Sequence, residues 1–144
     1  MDTTDSNVNR GIALAKEGLY TDALTVFDQN LAFTQSPVAM SYYALCLATA
    51  EGFHDKAVSM CLMAAEKEFY NPEIYLNLGR VFLIDGQKSI AMKSFRKGLG
   101  YDTTHDGIVE EIRRLGVRRD PVVSFLRRDN AVNRLLGLFT GRVA

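Results

Sequence analysis

Tyr75-Leu76-Asn77-Leu78-Gly79-Arg80-Val81-Phe82-Leu83-Ile84-Asp85-Gly86-Gln87-Lys88-Ser89-Ile90-Ala91-Met92-Lys93-Ser94-Phe95 is the stretch whose reading decides the fold. Tyr75, Leu78, Gly79 and Phe82 recur at helical steps before the turn segment Asp85-Gly86-Gln87-Lys88, and Ala91, Phe95 and Leu99 recur after it. A glycine between two such stripes predicts a helix ending in a left-handed residue, then a second helix folding back. The same spacing recurs outward: Gly18 with Ala23, Gly52 with Ala57 and Gly86 with Ala91, the glycines 34 residues apart. A helix–turn–helix unit of that length buries its apolar face only by stacking on copies of itself.

The first unit is read over residues 5–37. Gly11, Leu14 and Ala15 share one face, Gly18-Leu19-Tyr20 is the turn, and Ala23, Leu24, Phe27 and Leu31 form the second buried stripe. The second unit, 38–71, carries Tyr42, Tyr43, Ala44, Leu45 and Leu47, the turn Glu51-Gly52-Phe53-His54, then Ala57, Val58, Cys61, Ala64 and Ala65. The third occupies 72–105. Ala23, Ala57 and Ala91 are expected where the two helices of a hairpin approach closely, facing Gly11, Ala44 and Gly79. Phe27 and Phe95 are expected to fill the gap between units, with looser packing around Cys61.

This pattern resembles the tetratricopeptide repeat. Tyr75, Leu78-Gly79, Phe82, Gly86, Ala91 and Phe95 follow that family's order of marked residues, as do Gly11, Leu14, Gly18, Tyr20, Ala23 and Phe27; the second unit fits with one extra residue in its first helix. The resemblance covers 7–101 and implies an all-α fold, an α-solenoid of antiparallel helix pairs in a right-handed superhelix. After His105 the 34-residue register is read as ending. Residues 106–144 are read as C-terminal capping helices with an arginine-rich tail. Asp106 is expected to cap the first of these helices, Glu110 and Glu111 to lie in its first turn, and Arg113 and Arg114 in its last. Pro121 is expected to open a second helix, and Val122, Val123, Phe125, Leu126, Leu135, Leu136, Leu138 and Phe139 to pack on the third unit. A basic amphipathic segment for a membrane surface is the less favoured reading of that tail.

Length and composition agree with a single domain. The 144 residues are 47% apolar and carry no net charge, so nothing global argues for nucleic acid. The polar opening, Met1 to Arg10, is not read as a signal peptide. No run approaches the ~18 apolar residues of a membrane span. Cys46 and Cys61 stand alone in apolar stretches and read as buried thiols in a reducing cytoplasm rather than a disulfide or metal site. His54 is placed in a turn and His105 in a linker, with no ligand-spaced partner beside either. Glu110-Glu111 reads as helix charge, since adjacent helical residues face apart. Gly98-Leu99-Gly100 lacks the Lys-Ser/Thr of a phosphate loop. Tyr42, Tyr43, Tyr75 and Phe82 read as core.

The resemblance implies that the first helix of each unit lines a concave face. Its groove positions fall on Val8, Ile12 and Lys16, then Ser41, Leu45, Ala48 and Thr49, then Glu73, Leu76, Arg80 and Leu83. The lysines and asparagines by which some members grip a terminal carboxylate are not matched, Asn77 apart. The groove is therefore expected to be mainly apolar, with Lys16, Glu73 and Arg80 as polar markers, and suited to an apolar peptide or amphipathic helix. The expected function is that of a non-enzymatic bacterial adaptor of the cytoplasm, without cofactor or metal, whose partner is another protein. Alternatives are a chaperone for secreted or assembling proteins and a self-assembling scaffold.

Overall fold

Gly18, Gly52 and Gly86 adopt φ of +82°, +74° and +77°, a region where any side chain is strained, and each ends a helix. In the computed structural model, which describes residues 3–116, seven α-helices account for the fold and no strand occurs among those residues: α1 (Thr3–Lys16), α2 (Tyr20–Asp28), α3 (Pro37–Cys46), α4 (His54–Lys67), α5 (Pro72–Ile84), α6 (Lys88–Tyr101) and α7 (Asp106–Leu115). Helices α1 and α2, α3 and α4, and α5 and α6 pack as hairpins; α1, α3 and α5 lie side by side, and α7 packs on α6. The readings that fall on residues 117–144, including the helix opened by Pro121, lie outside the described residues. No helix among the described residues is long and apolar enough to cross a membrane.

Two kinds of helix start alternate along the chain. The first helix of a pair is capped by a side chain. Ser36 accepts from the Ala39 amide at 3.2 Å, Asn71 from the Glu73 amide at 3.1 Å, and His105 from the Ile108 amide at 3.3 Å. Pro37 and Pro72 then occupy the first turn, where a missing N–H costs nothing. The second helices start at Leu19, Phe53 and Gln87 without a side-chain cap. There the glycine turn closes on the preceding helix: the Leu19 amide donates to the Leu14 carbonyl and the Gln87 amide to the Phe82 carbonyl, both at 2.9 Å.

The extra residue of the second unit has a definite place. Leu47–Glu51 forms a π-helical turn between α3 and Gly52, and the Phe53 amide reaches back six residues, to Leu47, instead of five. The first unit is one residue short in compensation. α2 stops at Asp28, Asn30 caps a 3-10 turn over Leu31–Gln35, and its Nδ2 ties that turn to the Thr4 carbonyl at 3.1 Å. This corrects the reading of Leu31 as buried stripe. With the helix ended before it, Leu31 is 71% exposed, and Phe33 turns inward instead.

The core follows the small residues. Ala23, Ala57 and Ala91 are wholly buried. Gly11 is small because the Phe27 ring lies on it: a Cβ there would sit 2.6 Å from Phe27 Cε1. Phe95 covers Gly79 in the same way. These rings therefore fill the inside of their own hairpins rather than only the gap between units, although Phe27 also meets Tyr43 of α3 edge-on at 5.9 Å. In the second hairpin Cys61 replaces phenylalanine and Ala44 replaces glycine, both fully buried. Tyr42, Tyr75 and Phe82 are core, and Tyr43 is half-buried.

The 34-residue step does not end at His105. His105 caps α7 as Asn71 caps α5, Ile108 is wholly buried like Ile74, and Arg114 follows Arg80 at the same interval. α7 thus begins at the interval that separates α3 from α5 to within one residue. Asp106 is its first residue, not its cap, and alone is acidic in the first turn; Glu110 and Glu111 lie beyond it, while Arg113 and Arg114 occupy the last turn. Ile108 fills the space over Gly98, where a Cβ would approach its Cδ1 to 2.5 Å. Burying such an isoleucine is worth about 1.5–3 kcal/mol.

Candidate functional site

A groove of about 440 Å3 runs across α1, α3, α5 and α7. Ala15 and Lys16 border it from α1, Glu17 and Gly18 from the turn that follows, Tyr20 from α2, Leu45 from α3, Thr49 from the π turn, Arg80, Leu83 and Ile84 from α5, and Glu111 and Arg114 from α7. The order follows from the fold: α1 lies beside α3 and α3 beside α5, and Arg80 ties α5 to Glu111 of α7.

Of the groove residues expected from sequence, Lys16, Leu45, Thr49, Arg80 and Leu83 line it. Val8, Leu76 and Asn77 are buried and do not, Ile12 is half-buried, and Ser41 and Ala48 are buried as well. Leu76 lies under α7, where a Cβ on Gly107 would meet its Cδ2 at 2.8 Å. The surface is consequently not mainly apolar. Leu45, itself almost fully buried, Leu83 and Ile84 supply apolar area between Lys16, Glu17, Thr49, Arg80, Glu111 and Arg114. The sequence positions were projected from a helix face, and α7 covers the lower part of that face.

Next to Lys16 of the groove runs a polar chain that links separate helices. The Tyr42 hydroxyl donates to Glu73 Oε1. Glu73 Oε2 lies 2.7 Å from His105 Nε2, and Lys16 Nζ is 3.8 Å from Glu73 Oε1. Because His105 Nδ1 accepts the Ile108 amide, the ring proton sits on Nε2 and is donated to Glu73. Burial pushes the Glu73 carboxyl upward, but the hydrogen bonds from Tyr42 and His105 outweigh it and hold the group below the usual carboxylate range. Burial, reinforced by Glu73, pushes the Tyr42 hydroxyl upward, so it stays protonated. Glu73 is thus a structural acceptor rather than a groove marker, and His105, placed in a linker from sequence, is a helix cap with a carboxylate beside it.

A second bridge ties α7 to α5. Arg80 Nε donates to Glu111 Oε1 at 2.7 Å, with both side chains largely shielded. Glu110 faces away from Glu111 and pairs with Arg113 and Arg114 on the surface. Deeper still, Asn77 Nδ2 donates to Ser41 Oγ at 2.9 Å, while Asn77 Oδ1 meets no partner among the described residues.

Sequence reasoning missed His105, Glu111 and Arg114. The available signal was their 34-residue offset from Asn71, Asn77 and Arg80. Among the described residues no group of three or more His, Cys, Asp and Glu is placed to hold a metal ion. Cys46 and Cys61 are buried and unpaired by disulfide; burial pushes the Cys46 thiol up to about 12 and the Cys61 thiol higher. Comparison with protein-family models, with curated proteins and with solved structures finds no match to this chain.

Proposed function

We propose that the chain is a tetratricopeptide-type α-solenoid that works as a non-enzymatic protein-binding adaptor, holding a partner segment in the groove across α1, α3, α5 and α7. The observation that carries the reading is the continuity of that groove: residues of α1, α3, α5 and α7 border one opening, and Lys16 on its wall joins the Tyr42–Glu73–His105 chain. A stack cross-linked between its hairpins is rigid, and a rigid groove binds without first being ordered.

The occupant that fits is a helical or extended segment with apolar side chains for Leu83 and Ile84 and polar groups for Lys16, Thr49 and Arg114. Arg80 and Glu111 neutralise one another and fix the groove's width. Panning a random peptide display library on the intact protein tests this. Enriched peptides are expected to lose binding to the variants Leu83→Asp and Thr49→Arg, with helical content unchanged. Enriched peptides that bind both variants as tightly as wild type place the site elsewhere and overturn the reading.

A further inference from the structure

The side-chain caps of α3, α5 and α7 differ in one chemical respect. Ser36 and Asn71 hold the starts of α3 and α5 with a hydroxyl and an amide oxygen, neither of which titrates. His105 holds the start of α7 with a ring nitrogen, Nδ1, which accepts from the Ile108 amide at 3.3 Å only while it carries no proton. The other ring nitrogen, Nε2, faces Glu73 Oε2 at 2.7 Å. A second proton on the ring leaves the contact to Glu73 in place but turns the cap's acceptor into a donor aimed at an N–H. It also sets a positive charge at the N-terminal end of α7, against the helix dipole. The amide that loses its partner belongs to Ile108, whose buried side chain fills the space over Gly98 and anchors α7 on α6. The titratable and charged groups around the ring are Glu73 from α5, with Lys16 of α1 and Tyr42 of α3 on its other oxygen, Asp102 from the loop after α6, and Asp106 at the start of α7. Imidazole takes up its proton between about pH 8 and pH 5. Glu73, below the usual carboxylate range, and Asp102, held low by the Thr104 amide, stay ionised throughout that window.

We propose that His105 is a proton switch on the α7 wall of the groove: with the ring neutral α7 is capped and Glu111 and Arg114 stand in place, and with the ring charged the start of α7 loosens and that wall weakens. A segment seated in the groove is held at neutral pH and released in acid. The consequence for binding rests on the adaptor reading; the cause, in α7 alone, does not. The bond from Arg80 to Glu111, about one turn further on, ties α7 to α5 independently of the cap. The change is therefore a loosening of one helix end and not the loss of the helix.

Nuclear magnetic resonance of the intact protein tests it. The ring-nitrogen shifts of His105 are expected to show the proton on Nε2 at pH 8 and on both nitrogens at pH 5. Over the same range the Ile108 and Val109 amides, corrected for the intrinsic pH dependence of exchange, are expected to lose about fivefold or more of their protection relative to Val81, the scale of a lost helix cap. His105→Asn supplies the kind of cap that Asn71 gives α5 and is expected to keep that protection constant. Displayed peptides that Leu83→Asp and Thr49→Arg no longer bind are expected to bind wild type more weakly at pH 5 than at pH 8, and His105→Asn equally at both. The proton on Nδ1 at pH 8, a ring still neutral at pH 5, a charged ring with protection intact, or an equal loss of protection in His105→Asn overturns the switch. Loss of protection with peptide binding indifferent to pH overturns its link to the groove. A library that yields no groove peptide refutes the adaptor reading, and the exchange measurement then decides the switch alone. If His105→Asn does not fold, the wild type decides: the ring titration and the loss of Ile108 protection must share one midpoint, and separate midpoints overturn the proposal.

Discussion

The Phe95 ring lies against Gly79 across the third hairpin, where a methyl group on the glycine would overlap ring atoms. Phe27 and Gly11 repeat the arrangement, and Cys61 with Ala44 stand in the corresponding positions of the second hairpin. Side-chain bulk on one helix is thus matched by its absence on the other. Gly79→Ala should overpack the site and destabilise the protein by about 1–3 kcal/mol. Phe95→Cys should cost about 3 kcal/mol by leaving a cavity. Their combination, which copies the second hairpin, should cost less than the sum. Urea unfolding of the four proteins measures the coupling; strict additivity would show that the two residues do not share the space.

The Glu73 carboxyl is held low, so its contribution to stability is fully present above the ordinary carboxylate range, near pH 4.5, and is lost as pH falls through its folded value. Glu73→Gln should therefore lower the thermal midpoint at neutral pH. The gap from wild type should begin to narrow below about pH 4.5, where the unfolded chain takes up the proton, and close as pH falls through the lower folded value, where Glu73 itself becomes neutral. Melting curves followed from pH 7 to pH 3 check the sign. A gap that stays constant over that range would mean that the charge of Glu73 contributes nothing through Tyr42 and His105.

Leu76 and Leu83 lie on one turn-to-turn line of α5 but have different fates. Leu76 is 3% exposed under α7, whereas Leu83 is half-buried at the groove. Leu76→Asp should cost about 2–4 kcal/mol, since it buries an unpaired carboxylate. Leu83→Asp should stay within about 1 kcal/mol of wild type. Chemical denaturation of both variants distinguishes them, and equal losses would remove Leu83 from the groove wall.

Both thiols should be inert in the native protein. Cys46 and Cys61 are fully buried and their thiolates are disfavoured, so a disulfide reagent such as Ellman's should titrate neither at pH 8, and both in urea. Rapid native reaction of one thiol would indicate an opening of the α3–α4 hairpin.

Much of this architecture is legible in the sequence because its signals are local. Gly18, Gly52 and Gly86 announce turns that only glycine accommodates comfortably, and Ala23, Ala57 and Ala91 announce close approach. What escapes is decided between units or by small changes of phase. Leu31 keeps the helical spacing, yet α2 has already ended at Asp28, and spacing cannot report that. Glu73 and His105 are 32 residues apart and meet only because α7 follows α5 at the interval that the earlier units set. That interval was hidden because the position 34 residues after Gly86 is Asp120, so the turn glycine that would advertise it is missing. The groove was half legible for the same reason: the face of α5 is readable from its own periodicity, but its cover of α7 is not.

The π turn at Leu47–Glu51 and the clipped α2 offset one another, so the glycine turns stay evenly spaced while the capped helix starts do not: Ser36 to Asn71 is 35 residues and Asn71 to His105 is 34. One margin of the stack is therefore regular and the other carries a step. The step is confined to the five residues of the π turn, and Thr49, one of them, is on the groove wall. A segment seated in the groove would therefore meet the stack where its register shifts by one residue, and a binder shaped to evenly spaced units would not fit it.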